Sequence, residues 1–314
     1  MRQTAIWSLV LLLAMGMFLA ACSGAAENGE GTGTEENGTA ESSEGDATDE
    51  GAADDEAGGN ITLAYVNWDS EIASHHVLQK VLEDEGFEVE LLAVDNAPMW
   101  QGVADGSADA TAAAWLPATH AAQYDEFGDQ VVDLGPNLEG AKIGMVVPTY
   151  VDIDSIEEVN DNADKFNGQI IGIEPGAGVM LATEDAIEAY GMSDMELVSS
   201  SSAGMAAELQ KAYNNEEWIA VTGWTPHWKF SKFDLKYLED PKGSYGEAEA
   251  IHTIVREGLE EDMPRAYEIL DNFYWEPVDM EEVMLKIQEG MDPEDAAAEW
   301  VEANPDKVQE WVGE

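Results

Sequence analysis

From residue 60 onward, short runs rich in Val, Ile and Ala alternate with stretches of helical spacing. ITLAYVNW, FEVELLAVD, ADATAAAWL, KIGMVVPTYV, QIIGIEP, MELVSSS and WIAVTGW each read as a strand bounded by turn residues. Between the first two, Ser70 to Glu85 has helical periodicity, with Ser70 as N-cap and Gly86 as its stop. Strands alternating with helices predict an α/β fold of mainly parallel sheets covered by helices. After Tyr245 the pattern turns helical, over Glu247 to Gly258, Pro264 to Phe273, Met280 to Gly290 and Pro293 to Val312, separated by Pro and Gly. The division that follows is a first lobe over 60–147 and a second over 148–240, with 241–314 returning to the first lobe through C-terminal helices.

The chain begins differently. Arg2 precedes an apolar stretch from Ile6 to Leu19, which runs into Leu19-Ala20-Ala21-Cys22. One positive charge, an apolar core too short to span a bilayer securely and small residues before a break define a secretory signal over 1–21. Cys22 is the single cysteine, so no intramolecular disulfide can form. Its setting resembles the bacterial lipobox, which implies lipidation of Cys22 and a membrane anchor. Residues 22–59 read as an acidic flexible tether. From Ser23 to Gly59 there are 12 acids, no base, and no aromatic or large aliphatic residue, so the segment has too little apolar surface to fold.

Net charge narrows the partners. The 314 residues carry 66 acids against 13 Lys and Arg, a balance of -53. Setting aside the 12 acids of the tether and Arg2 leaves 54 acids and 12 bases from residue 60 on, or -42. Nucleic acid and anionic lipid surfaces both require a basic face and are excluded as partners. Life in high salt explains the imbalance, because a Debye length of about 3 Å at 1 M removes most of the self-repulsion.

Three tryptophan strings carry the candidate chemistry: VNWD around Trp68, AWLPATH around Trp115 and VTGWTPHW around Trp224. Each stands where an apolar run meets polar sequence, at the carboxyl end of a predicted strand, where ligands bind in such sheets. Converging aromatic faces suit a cation without N–H groups, at about 0.5–2 kcal/mol per ring. GAGVM precedes the helical pattern VMLATEDAIEAYG, so Gly178 and Val179 offer unpaired amides of a helix N-terminus to an anion.

In this order and spacing, VNWDSEIASHHVLQKVLE, AWLPATH, GIEPGAG and VTGWTPHW resemble the OpuAC/ProX-type substrate-binding proteins of ABC transporters for glycine betaine and related quaternary amines. The resemblance covers essentially all of Asn60 to Gly313. It implies a two-lobed, periplasmic-binding-protein-like fold with a hinge and a ligand cleft between the lobes. It also implies a tryptophan prism of Trp68, Trp115 and Trp224, with carboxylate contacts from His120 and the amides of Gly178 and Val179. The implied role is capture without catalysis or cofactor: an extracytoplasmic, lipid-anchored, monomeric receptor delivering a compatible solute to a membrane permease and its ATPase for osmoprotection. A sensory receptor for choline-like compounds, or a secreted enzyme acting on them, would use the same scaffold.

The remaining polar residues build no rival site. His75 and His76 are adjacent on a predicted helix and point to different sides, while His227 and His252 are scattered, so no zinc site is expected. Ser199 to Ser202 lack a G-x-S-x-G setting and read as the cap of the next helix. Trp100, Trp218, Trp300 and Trp311 are assigned to packing or the surface. Trp228 and Trp275 stand as substitutes for a member of the trio.

Overall fold

The computed structural model describes residues 58–313. The signal sequence, Cys22 and nearly all of the tether lie outside the described residues. The described chain runs through β1 (Asn60–Tyr65), α1 (Asp69–Asp84), β2 (Glu88–Ala93), α2 (Asn96–Asp105), β3 (Ala110–Leu116), α3 (Ala121–Phe127) and β4 (Val131–Pro148). It continues through β5 (Gln169–Ile171), α4 (Gly178–Tyr190), β6 (Glu196–Val198), α5 (Ser202–Asn214), β7 (Ala220–Thr225), α6 (Lys229–Lys232) and β8 (Leu235–Tyr237). It ends with β9 (Glu249–Arg256), α7 (Leu259–Asp262), α8 (Pro264–Asn272), α9 (Pro277–Gln288), α10 (Pro293–Ala303) and α11 (Pro305–Val312).

The strands follow the order β2-β1-β3-β9-β4-β7-β5-β6, with β8 beside β4. One set, β2, β1, β3 and β9, joins the leading part of β4, and the other, β7, β5, β6 and β8, joins its trailing part. Strand β4 is therefore shared by both lobes. Its residues up to Ala141 pair with β9, and from Lys142 they pair with β7. The apolar pattern placed the lobe boundary after Val147; the change of partner comes at Ala141 and Lys142. Gly140, next to the shift in register, has φ of +79°, a conformation that glycine adopts without penalty. The chain passes between the lobes a second time over 238–249.

Two expected elements differ. Glu247 to Gly258 is not a helix but contains β9, lying between β3 and β4 and antiparallel to both. Glu249, Ile251 and Thr253 are buried and alternate with less buried Ala250 and His252, and Ile254 and Val255 beyond them are both buried, a β-branched run that two flanking strands reward. Pro293 to Val312 is broken at Asn304, whose φ of -122° and ψ of 48° leave the helical region, and Pro305 opens α11. A proline disfavours helical geometry in the residue before it. Helix α1 starts at Asp69, one residue earlier than read, and its N-cap is Trp68, two residues before Ser70. By contrast Ser201 does cap α5, its hydroxyl accepting from the Gly204 amide at 3.1 Å.

The first lobe carries a second aromatic cluster far along the chain. Trp300 is fully buried, stacks on Trp311 at 5.6 Å between ring centroids and meets Trp275 edge-on at 5.7 Å. Trp275 is thus core, and no substitute for a site residue. Replacing Trp300 by Ala is expected to lower unfolding free energy by about 3–5 kcal/mol, the range for a large ring lost from a core. Urea unfolding checks this; a loss below about 1 kcal/mol would remove the cluster from the core.

Candidate functional site

Trp68 ends the loop after β1 and caps α1, Trp115 is the penultimate residue of β3, and Trp224 is the penultimate residue of β7. The first two belong to one lobe and the third to the other. All three line a single cavity of about 290 Å³ of empty space including its open mouth, together with Thr119, His120, Ile143, Ile173, Ala177, Gly178 and Val179. Every one of the six expected contact residues is therefore brought to one place. Trp228 is not in it: its indole N–H donates to Asp69 Oδ1 at 2.7 Å.

One end of the cavity is an anion-seeking pole. Gly178 and Val179 are the first two residues of α4, ahead of the first intrahelical bonds, which Met180 and Leu181 make to the Ala177 carbonyl. Their amides point out of the helix start, where the macrodipole is positive. His120 faces the same space. Its Nδ1 accepts from the Trp115 amide at 3.2 Å and from the Trp100 indole N–H at 3.4 Å. Two donors on Nδ1 put the ring proton on Nε2, and that buried N–H has no partner. Complete burial pushes the imidazole down to about 3, so it stays neutral and donates one directed hydrogen bond. Trp100, assigned to packing, also fixes this tautomer; nothing in its sequence position signals that.

The loop carrying His120 is held by a residue that sequence reading missed. Glu249, at the start of β9, accepts from the amides of Ala118 at 3.1 Å and Thr119 at 3.0 Å and from the Thr119 hydroxyl. Its misassignment to a helix concealed this role.

The rings are secured by carboxyl groups. Trp115 donates its indole N–H to Glu71 at 2.8 Å, and Trp68 donates to Glu174 across the cleft. Glu71 is buried and takes a second hydrogen bond, from the Ser70 hydroxyl at 2.5 Å; desolvation raises its carboxyl to about 7. Asp69 clasps the far lobe: besides Trp228 it accepts from the Ser202 hydroxyl at 2.7 Å, with His227 Nε2 at 3.6 Å. Burial opposes its ionisation, but these partners outweigh burial and hold it well below the usual carboxylate range. Lys229 is fully buried with its ammonium 4.1 Å from the Trp224 ring centroid, and desolvation lowers it to about 7.

Among the described residues no group of three His, Cys, Asp or Glu is placed to hold a metal ion. No helix among them is long and apolar enough to cross a membrane.

Two α/β lobes sharing a strand and closing on a cavity lined from both sides are the architecture of two-lobed periplasmic binding proteins. The chain belongs to the OpuAC family, described as the substrate binding domain of ABC-type glycine betaine transport systems, whose profile matches residues 59–303. It is 56% identical over 154 residues to the glycine betaine/carnitine transport binding protein GbuC of Listeria monocytogenes, a match over 48% of this chain and 51% of GbuC. The chain thus spans about half the length of that curated relative. The crystal structure of lactococcal OpuAC, closed and complexed with glycine betaine, is similar with TM-score 0.78 and 49% identity over 81% of this chain and 99% of that one. An ABC-transporter choline binding protein in complex with choline is similar with TM-score 0.75 and 27% identity, over 81% of this chain and 91% of that one.

Closure depends on one missing methyl. A Cβ on Gly178 would fall inside the van der Waals envelope of the Thr119 carbonyl oxygen, a backbone atom of the opposite lobe. Gly178→Ala is expected to keep the lobes apart and weaken ligand affinity at least about ten-fold, an overpacking cost of roughly 1–3 kcal/mol. Small-angle scattering with saturating solute, read beside calorimetry, should show a larger radius of gyration than wild type. A variant that closes and binds normally would show that the approach is not limiting.

Proposed function

We propose that this protein captures glycine betaine or a similar zwitterionic quaternary amine outside the cell membrane and delivers it to a permease driven by an ATPase. The observation that carries this reading is a single cavity with two unlike poles. Trp68, Trp115 and Trp224 offer π faces to a trimethylammonium group, while His120 Nε2 and the Gly178 and Val179 amides offer donors to a carboxylate. Family membership and the similarity to lactococcal OpuAC with glycine betaine support it. Because both lobes contribute, bound solute favours the closed form by its differential affinity, and the closed form is what a permease would recognise. In this reading the two moving bodies are the lobes expected over 60–147 and 148–240, with the return of 241–314 and the boundary drawn back to the partner change at Ala141 and Lys142. Capture is the whole of it; no chemistry is done on the solute.

The choice of solute rests on the anion pole. Choline carries the same trimethylammonium with a hydroxyl in place of the carboxylate, so it pairs fewer of the buried donors and none with charge assistance. A charge-assisted hydrogen bond contributes about 1.5–3 kcal/mol, which predicts glycine betaine bound at least about ten-fold tighter than choline. His120→Ala should narrow that gap by weakening glycine betaine while sparing choline. Calorimetric titration of both solutes into both proteins checks it; equal binding of the two by wild type would overturn the pole.

Cys22 as a lipidated first residue would tether the receptor to the membrane surface. Cys22→Ser is then expected to release the protein, or leave its precursor uncut, with solute affinity unchanged. Detergent partitioning of both forms decides this, an aqueous wild type ruling the anchor out.

The acidic surface supports work in high salt. With -42 charges over residues 60–314, screening should stabilise the compact state more than the expanded chain. Thermal melts across rising sodium chloride are expected to show a climbing midpoint, and a flat or falling one would exclude a halophilic design.

A further inference from the structure

The three rings of the cavity differ in what lies behind them. Trp115 donates its indole N–H to Glu71, and Trp68 donates its own to Glu174. The indole N–H of Trp224 is buried with no acceptor, and a lysine ammonium, that of Lys229, lies against its ring. Neither Glu71 nor Glu174 lines the cavity, so neither touches what is held there. Each acts through its tryptophan.

A carboxylate that accepts an indole N–H does two things. It orients the ring about its long axis, and it drives electron density toward the π face, which deepens the negative potential that a cation meets. Ionised Glu71, which is buried, also places a formal negative charge within one ring's width of the cavity, in a region from which water is largely excluded. An indole N–H left without an acceptor, as in Trp224, gains no such support. Trp224 is thus the ring least able to reward positive charge on its inner face, and it serves chiefly as a wall.

We infer that Glu71 and Glu174 are positioning residues that strengthen the cage's preference for a cation, so that it selects charge as well as shape. Without them the bare π faces would still favour a trimethylammonium over a tert-butyl group, but by a smaller factor. The inference rests on the reading of the cavity as a quaternary-amine site and goes further by dividing the rings into two polarised and one unpolarised.

The test compares glycine betaine with tert-butylacetate, in which carbon replaces the ammonium nitrogen while the carboxylate and the outline are kept. Both are titrated by calorimetry into wild type, Glu71→Gln and Glu174→Gln in mildly alkaline buffer, where the Glu71 carboxyl is ionised. Glutamine retains an oxygen that accepts the indole N–H, so the ring keeps its orientation and only the charge is lost. In Glu71→Gln the preference for glycine betaine over tert-butylacetate should fall about ten-fold, entirely through weaker glycine betaine. Glu174→Gln should shift the preference in the same direction by less, since Glu174 is partly exposed and better screened. Equal weakening of both solutes would mean a merely structural role and would overturn the inference, as would an unchanged preference in both variants. Wild type that binds neither solute would overturn instead the reading of the cavity on which it rests.

Discussion

Thr119 and Gly178 approach one another across the cleft with no space for a side chain between them, and the geometry of the cavity follows from that approach. Only at this separation do two rings of one lobe and one of the other face a common space, with the amides that begin α4 opposite His120. A cation that can donate no hydrogen bond has to be held by surfaces, and surfaces attract only in contact. The lobes must therefore come together before the site exists. Asp69 reinforces the same closure from the first residue of α1, bonding Ser202 and Trp228 of the other lobe beside His227.

Burial sets the protonation of nearly every polar group near the rings. It keeps His120 neutral, so the imidazole offers a directed N–H and adds no positive charge to the cavity. It raises Glu71 into the neutral range and lowers Lys229 toward it, both for the same reason, that a dry interior penalises the charged form. Asp69 is the exception because three donors surround its carboxylate. A chain with -42 charges on its folded part thus confines its critical electrostatics to a few desolvated groups whose partners are fixed by packing.

Legibility in the sequence was uneven, and particular elements show why. The tryptophans at the ends of β3 and β7 were readable because a large ring following an apolar run is a local pattern. So was the start of α4, where glycines precede helical spacing. Strand β9 was not: its pairing with both β3 and β4 is long-range, and its acidic flanks and charged alternation mimic a helix surface. The leading half of β4 was equally hidden, since Gly135, Pro136 and Gly140 interrupt its period while the register shifts beside β9 absorb them. Glu249, Glu71 and Glu174 were lost among 66 acids, because their distinction lies in what they touch.

By itself the sequence determined the α/β class, the three tryptophans at strand ends, the glycines that open a helix, the absence of any intramolecular disulfide and the imbalance of charge. These follow from composition, spacing and local backbone preference, which a chain carries wherever it goes. Tertiary structure alone decided which strand joins the lobes, which ring nitrogen of His120 holds the proton, and which carboxyl groups stand behind which rings. Those depend on contacts between residues far apart in the chain, such as Trp68 and Glu174, 106 positions apart, and on the loss of water that accompanies them. Distance in space and exclusion of solvent are properties that only the folded molecule has.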